Sequence, residues 1–458
     1  MANTSKRNEK DSFGSIQVPE DVLWGAQTQR SFENFKISSH TMPFEIIRAI
    51  VIIKKACAKV NFLSSKNTGD KKKGKAIISA CDKILSDENI IKNNFPLSVF
   101  QTGSGTQTNM NVNEVISNIA SSQIPIHPND DVNKSQSTND VFPTAINVAT
   151  VLLINEKLLP ALDDLISTFK TLEKENKDII KSGRTHLQDA TPVKFSQEIS
   201  AWRYSIETCK KQILMSLTGI KDLAIGGTAV GTGINTKTNF SKDVVNEISK
   251  ITGVTFKPSK NKFHALSSKD TVVFCHGALK SLSCDLIKIA NDIRFLACGP
   301  RTGIGEIEIP SNEPGSSIMP GKVNPTQCEA IIMACMQVIG NDNAVSNAAM
   351  AGMLELNVCM PLIAYDMIDS ITLLSDSINS FNKKCVKGIK ANKEKMKENL
   401  EKSLMNATIL NTVIGYDNVA KVVKLAHKDN LTLKEACIKL KYLSEEEFDK
   451  YYKIDKMV

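Results

Sequence analysis

The feature that most constrains the fold is a long apolar stripe in the second quarter of the chain. Apolar residues recur there every seven positions, at Val151, Leu158, Leu165 and Leu172. That spacing places them on one face of an α-helix, and the pattern predicts a helix of roughly 35 to 40 residues. Pro160 lies inside the stretch and predicts a kink rather than an end to the helix.

Four further stretches carry the same kind of stripe and predict four more long helices. One follows the tripeptide ATP at 190–192, one surrounds Leu282, one follows Pro325, and one runs from about Pro361 to Phe381. Aromatic residues make up only 5% of the chain, so the core must consist mainly of aliphatic side chains. The prediction is a mainly α fold with a central bundle of long helices. The stripes are wider than the bundle of one chain needs, which predicts that helices also pack against other subunits.

The order of the patterns predicts three domains in this chain of 458 residues. Residues 1–134 mix turn-rich segments with short helical patterns and predict a mixed, mostly helical N-terminal domain. Residues 135–388 carry the long helices of the central bundle, and residues 389–458 predict a small C-terminal helical domain. In this last region, Thr432 followed three residues later by Glu435 is a capping-box signature.

Charge and cysteine content narrow the possible functions. The net charge is +8, which reflects either a lysine-rich surface or an attraction for anions. The basic residues are scattered apart from one run at 71–75, so nucleic-acid binding is not expected. The 11 cysteines contain no C-x-x-C pair and no cluster with the spacing of metal ligands. We therefore expect free thiols in a reducing compartment and no bound metal.

Four polar segments interrupt the helical patterns, although a bundle core does not need them. They are TGSGTQTNMNVNE at 102–114, HPNDDVNKSQSTND at 127–140, SGRTHLQDATP at 182–192 and GSSIMPGKVNPTQCEA at 315–330. Taken singly, each has an ordinary interpretation as a polar turn, a helix cap, a structural histidine or a flexible loop. Together they supply hydroxyls, amides, an imidazole and a lysine, which suits binding of a small dianion and proton transfer.

These segments resemble the signatures of the fumarase/aspartase superfamily, in the same order along the chain. GGTAVGTGIN at 226–235 and ELNV at 355–358 also match, and the resemblance covers nearly the whole chain. TGSGTQ and PGKVNPTQCE look like the class II, iron-independent fumarate hydratases. The resemblance implies reversible anti addition of water to fumarate, a reaction of the tricarboxylic acid cycle, giving L-malate through an aci-carboxylate intermediate. It also implies no cofactor and a homotetramer whose core is built from the bundles of four subunits.

The resemblance further implies roles for individual residues. Ser316 would be the base that takes the C3 proton of malate, and His186, steadied by Glu329, would act at the leaving hydroxyl through a water. A serine is a poor base unless its alkoxide is stabilised, and the backbone N–H groups of a glycine-rich loop could do that. The implied substrate-binding residues are Ser104, Gly105, Thr106, Ser137, Thr138, Asn139, Thr185, Lys322 and Asn324.

A second anion site is implied outside the reaction centre, at His127, Pro128, Asn129 and Asp130. The loop before it looks several residues shorter than in many relatives, so this site is expected to be weaker here. Thr138 stands where relatives commonly have serine, and the hydroxyl is kept.

Two alternatives stay open at the level of sequence: an aspartate ammonia-lyase-like enzyme, and a non-catalytic protein on the same scaffold. The expected partners are fumarate, L-malate and further copies of the chain. A helix of about 35 residues spans about 50 Å, so polar segments at its two ends are expected to meet only when several chains pack together. The N-terminal stretch has no signal-peptide pattern, and no apolar run predicts a membrane span. The expected location is the cytoplasm, although enzymes of this type also serve mitochondria.

Overall fold

The computed structural model describes residues 5–458. This part of the chain contains 18 α-helices and ten short β-strands. The helices are α1 (Ala26–Asn34), α2 (Phe44–Ala58), α3 (Thr68–Ser86), α4 (Glu88–Asn94), α5 (Thr106–Ala120), α6 (Thr138–Leu153), α7 (Leu159–Glu175), α8 (Phe195–Ile220), α9 (Phe240–Thr252), α10 (Lys262–Ser267), α11 (Asp270–Leu296), α12 (Thr326–Ala349), α13 (Met360–Lys384), α14 (Lys393–Lys402), α15 (Asn411–Ile414), α16 (Tyr416–Asp429), α17 (Leu433–Lys439) and α18 (Glu445–Tyr451).

The strands pair only two by two. They are β1 (Lys6–Asp11), β2 (Gly14–Pro19), β3 (Ile180–Thr185), β4 (Gln188–Lys194), β5 (Asp222–Leu223), β6 (Lys257–Pro258), β7 (Ile307–Glu308), β8 (Gly352–Met353), β9 (Leu356–Asn357) and β10 (Lys390–Ala391). The pairs β1–β2, β3–β4, β7–β10 and β8–β9 are antiparallel, and β5–β6 is parallel. The mainly α prediction is therefore confirmed.

The five predicted long helices are all present. The first is a continuous helical run of 38 residues, Thr138–Glu175, formed by α6, a π-helical turn at Ile154–Leu158 and α7. Proline lacks an N–H donor and its ring clashes with the carbonyl four residues earlier. The wider π turn lies directly before Pro160 and accommodates the clash, so the helix continues through the proline as predicted. The other four long helices are α8, α11, α12 and α13.

The same helical run has a mean hydropathy of 1.4 over its most apolar window. By length and composition it could cross a membrane, but 67% of that window is buried inside the protein. Burial of this kind is typical of the core helix of a bundle.

The segment before α8 is a hairpin rather than an irregular loop. Strands β3 and β4 pair antiparallel, and the two residues between them, His186 and Leu187, have φ angles of 55° and 60°. Two successive positive φ angles are those of a type I′ turn, whose twist matches paired strands. Gly183 marks a bulge in β3, where an added Cβ would lie 2.6 Å from the Thr191 carbonyl oxygen.

The chain divides into two compact units. The first comprises the described residues of Met1–Pro160 with Cys209–Ser283 and Ala334–Ser375, and the second comprises Ala161–Thr208, Cys284–Met333 and Asp376–Val458. The boundaries fall within long helices, so this division does not test the three linear domains. Those domains, with boundaries after residues 134 and 388, stay a prediction.

In the first unit the core is built around α2, which packs against α3 and α6. Helix α2 is apolar on nearly every side, and Ile46, Ile50 and Ile53 are fully buried. A helix with this pattern must be covered on all faces, and its neighbours supply that cover. One charged residue, Lys54, lies in the middle of this apolar helix and is also fully buried.

In the second unit, α14 packs against β3, and a 3₁₀-helical segment at Leu404–Leu410 packs against β4. The C-terminal helices α16, α17 and α18 enclose a separate apolar cluster that includes Val422, Ala436 and Phe448. Thr432 and Glu435 form the predicted capping box at the start of α17.

Candidate functional site

Three of the predicted substrate-binding residues, Ser104, Gly105 and Thr106, form the start of α5. Gly105 has a φ of 79°, and an added Cβ would collide with the ring of Phe142, so the position requires glycine. Gly105 offers no side-chain cap to the helix. Ser104 Oγ and Thr106 Oγ1 lie 2.8 Å apart, so one hydroxyl donates to the other and one hydrogen is left for a ligand. A helix N-terminus with a spare hydroxyl donor favours an anion.

Ser137, Thr138 and Asn139 form the start of α6, and the first unit brings them close to the start of α5. Asn109, in the first turn of α5, donates from Nδ2 to Thr138 Oγ1 over 2.9 Å. Thr138 Oγ1 is thus an acceptor toward Asn109 and keeps its own hydrogen to donate. Asn139 Nδ2 donates one hydrogen to the Ala229 carbonyl over 2.7 Å and keeps the second. The two helix starts therefore present several donors side by side, an arrangement that suits a carboxylate.

A buried carboxylate, Asp140, supports this second helix start. Its Oδ1 accepts from Ser137 N over 2.9 Å, and its Oδ2 accepts from Gly226 N and Thr228 N over 2.8 and 2.9 Å. Burial raises the pKa of Asp140 above its ordinary value, against the opposing effect of these three N–H donors. Sequence reasoning missed the residue, although S-x-x-D before an apolar run is itself a capping-box pattern.

A buried lysine lies behind the same loop. Lys54 Nζ donates to Asn133 Oδ1 and Gln136 Oε1 over 2.8 and 3.0 Å. Burial lowers the pKa of Lys54 to about 7. Asn133 Oδ1 also accepts from Asn109 Nδ2 over 3.3 Å, so the lysine is linked through two amides to Thr138. In the sequence, the signal for this residue is a lysine within the largely apolar stretch at 44–58.

The predicted second anion site lies on the surface of the first unit. His127 Nδ1 accepts from Asp130 N over 3.1 Å. The His127 amide donates to Asp131 Oδ2 over 2.9 Å, and Lys73 Nζ also donates to this carboxylate. His127, Asn129 and Asp130 are exposed and Pro128 is partly exposed. Anion binding by these residues stays a prediction.

In the second unit, Thr185 and His186 lie at the tip of the β3–β4 hairpin. Thr185 pairs with Gln188 across the turn, and both Thr185 and His186 are exposed. The positive φ angle of His186 is part of the tight turn. The hairpin thus places the predicted general acid–base group at an exposed turn.

The base of this hairpin is held by one fully buried carboxylate, Glu306. Arg184 donates to both carboxylate oxygens of Glu306 over 3.0 and 2.7 Å, Asn399 Nδ2 donates over 3.0 Å, and Lys181 Nζ lies at 3.1 Å. Burial by itself would raise the pKa of Glu306. The hydrogen bonds and positive charges outweigh burial and hold the pKa below its ordinary value.

The segment at 315–324 is a closed loop in which the hydroxyl of one serine, Ser316, accepts two backbone hydrogen bonds. Ser316 Oγ accepts from Ile318 N over 3.3 Å and from Met319 N over 3.0 Å. Backbone donors at this position stabilise negative charge on the oxygen, as an alkoxide would need. Within residues 5–458, no such pair of amides donates to the hydroxyl of Ser317.

The loop is closed by glycine contacts and one amide. Asn324 Nδ2 donates to the Gly315 carbonyl over 2.5 Å, and a Cβ on Gly315 would collide with the Lys322 carbonyl. Gly321 has a φ of 83° at the turn. Ser316 and Lys322 line the same surface cleft of about 410 Å³. The loop therefore places a hydroxyl and a cation in one cleft.

Comparison with known proteins decides the family. Residues 14–340 match the lyase family model, and residues 407–458 match the model of the fumarase C C-terminus. The chain is 54% identical to the class II fumarate hydratase of Bacillus subtilis (strain 168), over 99% of this chain and 98% of that protein. It is 53% identical to the class II fumarate hydratase of Helicobacter pylori (strain J99), over 99% and 98%.

The chain belongs to the class II fumarate hydratase family.

Solved structures agree with this membership in the class II fumarate hydratase family. The class II fumarase of Schistosoma mansoni superposes with a TM-score of 0.95 at 41% identity, covering 99% of both chains. The cobalt-bound fumarate lyase/delta crystallin of Brucella melitensis superposes with a TM-score of 0.93 at 38% identity, again covering 99% of both chains. The resemblance deduced from the motifs is thus confirmed at the level of family and fold.

In this member of the class II fumarate hydratase family, the three predicted catalytic residues are not joined to one another within one chain. Across the part of the chain that the structure describes, no hydrogen bond or ion pair links His186 to Glu329 or to Ser316. Glu329 lies exposed in the first turn of α12. The same residues 5–458 contain no group of three or more His, Cys, Asp or Glu arranged to hold a metal ion. The roles of the site residues stay predictions.

Proposed function

We propose that this chain is a fumarate hydratase, which catalyses the reversible anti addition of water to fumarate to give L-malate. The observation that carries the proposal is the pair of backbone N–H groups at Ser316 Oγ, in a cleft that also contains Lys322. The full-length relatives are named as class II fumarate hydratases, which supports this activity over an aspartate ammonia-lyase or a non-catalytic scaffold.

The difficult step is removal of a proton from the carbon next to a carboxylate. The C3 proton of malate is a very weak acid, and its loss places charge on the oxygens of the adjacent carboxylate. Lys322 and Asn324 would hold that carboxylate, while the Ile318 and Met319 amides would stabilise Ser316 as an alkoxide. One preorganised donor at a developing charge contributes about 3 kcal/mol, so several together supply a large part of the rate enhancement.

The second step is loss of the hydroxyl from C2. His186 would deliver a proton through a water, because a protonated leaving group departs as water rather than as hydroxide. The hydroxyls and amides at the starts of α5 and α6 would hold the other carboxylate and fix the substrate for anti elimination. Donors at both ends of the substrate explain why the site selects a dicarboxylate.

We also propose a homotetramer in which each site combines segments from three chains. In the first unit, α12 and the residue that follows it expose a stripe at heptad spacing, at Met336, Gly340, Asn343, Asn347 and Met350. Met336 is 58% and Met350 is 74% exposed, which is unusual for large apolar side chains. A Cβ on Gly340 would meet nothing within 4 Å.

An exposed glycine inside a helix costs about 1 kcal/mol relative to alanine, so nothing within one chain favours Gly340. Close approach of a helix from another copy would favour it. Gly340→Leu should therefore convert the tetramer to smaller species in native mass spectrometry. The matched control is Lys424→Leu on the exposed face of α16, which should leave the tetramer intact. Equal tetramer content in both variants would exclude this helix as an interface.

The activity is tested by following the ultraviolet absorbance of fumarate with purified protein. L-malate should generate fumarate, and L-aspartate should not. Fumarate formation from L-aspartate alone would establish the ammonia-lyase alternative, and no reaction with either substrate would establish the non-catalytic one. Activity should also persist in air and in the presence of a chelator.

The composite site is tested by mixing two inactive variants, Ser316→Ala and His186→Asn. If the two residues of one site come from different chains, co-refolded hybrids contain some sites with both residues intact. A substantial fraction of the wild-type activity should then return. Hybrids confirmed by native mass spectrometry but without activity would show that one chain supplies both residues. We further propose a cytoplasmic location, because the 11 cysteines form no disulfide within residues 5–458.

A further inference from the structure

The glycine-rich segment at 226–233, in the first unit, matches a family motif but has no part in the proposed chemistry. Gly226, Gly231 and Gly233 have φ angles of 92°, 109° and 72°, and Thr228 has a φ of 54°. Glycine adopts such angles without cost, but a β-branched threonine does so only under strain. The threonine conformation must therefore be held by surrounding contacts.

The contacts that hold it come from the start of α6. Asp140 Oδ2 accepts from the backbone N–H of both Gly226 and Thr228, while Oδ1 accepts from Ser137 N. Asn139 Nδ2 donates to the carbonyl of Ala229, the next residue after the strained threonine. Two adjacent residues of α6 thus hold three residues of the segment, 86 to 90 positions further along the chain.

The direction of these hydrogen bonds requires a carboxylate. All three partners of Asp140 are N–H donors, so both of its oxygens must accept. An amide side chain has one oxygen and one NH₂ group, and the NH₂ group would face a backbone donor on one side or the other. Asp140 is fully buried, so water cannot replace a lost partner.

We infer that Asp140 is a positioning residue of the hydration reaction. Its carboxylate holds the strained segment 226–233 against the helix start and so fixes Ser137, Thr138 and Asn139 in the orientation that binds a substrate carboxylate. The inference rests on the proposed function, because these three residues are assigned to substrate binding there. Asp140 itself touches neither substrate nor reacting atoms; it acts through Asn139 and the Ser137 backbone.

The test uses full-length protein and the variant Asp140→Asn. Loss of the Asp140 hydrogen bonds should raise the KM for L-malate by roughly 10-fold or more, with a smaller change in kcat. The reason is that the carboxylate pocket binds the ground state and the transition state alike. The matched control is Glu114→Gln. Glu114 is another buried carboxylate of the first unit, and it accepts from the backbone N–H groups of Gly25, Gln27 and Thr28. This control should lower Tm but leave KM unchanged.

A second variant tests the strain directly. Glycine at position 228 adopts a φ of 54° without strain, so Thr228→Gly alone should change KM less than about twofold. Added to Asp140→Asn, Thr228→Gly should recover most of the lost affinity. The segment is then no longer strained at position 228, so fewer hydrogen bonds are needed to keep its conformation. Recovery in the double variant also keeps the test decisive if Asp140→Asn alone folds poorly.

Three results would overturn the inference. One is a folded Asp140→Asn protein whose KM lies within about twofold of the wild-type value. Another is a KM increase of the same size in Glu114→Gln, which would indicate a general structural effect. The third is a double variant no better than Asp140→Asn.

Calorimetric titration with L-malate separates this inference from the proposed function. Wild-type protein that binds L-malate without turnover would refute hydration. Loss of that binding in Asp140→Asn would still support positioning.

Discussion

Asp366, on α13, allows a quantitative prediction of how stability depends on pH. The residue is 6% exposed, and its Oδ2 is buried without a hydrogen-bond partner among residues 5–458. Burial, and then the negative charge of Asp369 one turn away, raises the pKa of Asp366 to about 7. Unlike the buried carboxylates Asp140 and Glu306, it has no set of N–H donors among the described residues to stabilise its charge.

The direction of the effect follows from proton linkage. A carboxyl group with a raised pKa in the folded state binds its proton more tightly there than in the unfolded chain. Its contribution to stability is fully present below about pH 4, falls through the window from about pH 4 to about pH 7, and is lost above it. At neutral and alkaline pH, the folded protein therefore contains a charge that it stabilises poorly.

The magnitude follows from the same pKa. A rise from an ordinary value near 4 to about 7 corresponds to about 4 kcal/mol, and screening by nearby water reduces this to roughly 2 kcal/mol. The unfolding entropy of a chain of this length is about 1 kcal/mol per kelvin, so the expected gain in Tm is about 2 °C. Asp366→Asn should thus melt about 2 °C higher than wild type at about pH 8 and at the same temperature near pH 4.

Scanning calorimetry over a pH series at fixed protein concentration measures this gap. The control is Asp376→Asn, which removes the same charge from an exposed position of α13 and should show no gap that grows with pH. If Asp366→Asn melts at or below the wild-type temperature at about pH 8, a donor must stabilise the Asp366 carboxylate, and the reasoning from burial and like charge fails.

Three further predictions concern the site and its support. Ser316→Ala should reduce turnover by roughly 10² or more in a folded protein, and Ser317→Ala should do less; the reverse order in steady-state kinetics would mean that the base is the other hydroxyl. His127→Asn should leave most of the turnover intact, and a loss as large as that of Ser316→Ala would place His127 in the reaction centre. Glu306→Gln should lower Tm at neutral pH, and the difference should shrink below about pH 4 and vanish as pH falls through the lowered pKa of folded Glu306, because a depressed pKa contributes its full stability above the unfolded value and loses it between the two values. A difference that persists in acid would show that packing, not charge, is lost.

The long helices are determined by the sequence alone, because their signal is local. A stripe at heptad spacing needs only a few turns of chain to be recognised, and Val151 to Leu172 are enough to predict the run through α6 and α7. The polar segments are equally local, so the loop with Ser316 and Lys322 and the family resemblance follow from contiguous motifs. The β3–β4 hairpin escaped prediction because its two-residue turn, His186 and Leu187, lacks the usual asparagine or glycine.

Only the tertiary structure decides which charged groups are buried and which hydrogen-bond donors and charges lie next to them. Asp140 meets the backbone of Gly226 across 86 positions of chain, and Glu306 meets Arg184 across 122. In the sequence, Asp366 and Glu306 are both simply acidic residues. In the folded protein, the pKa of Asp366 is raised and that of Glu306 is lowered. Whether a carboxylate is stabilised depends on donors and charges brought within about 3 Å by folding, and no local pattern of residues encodes that distance.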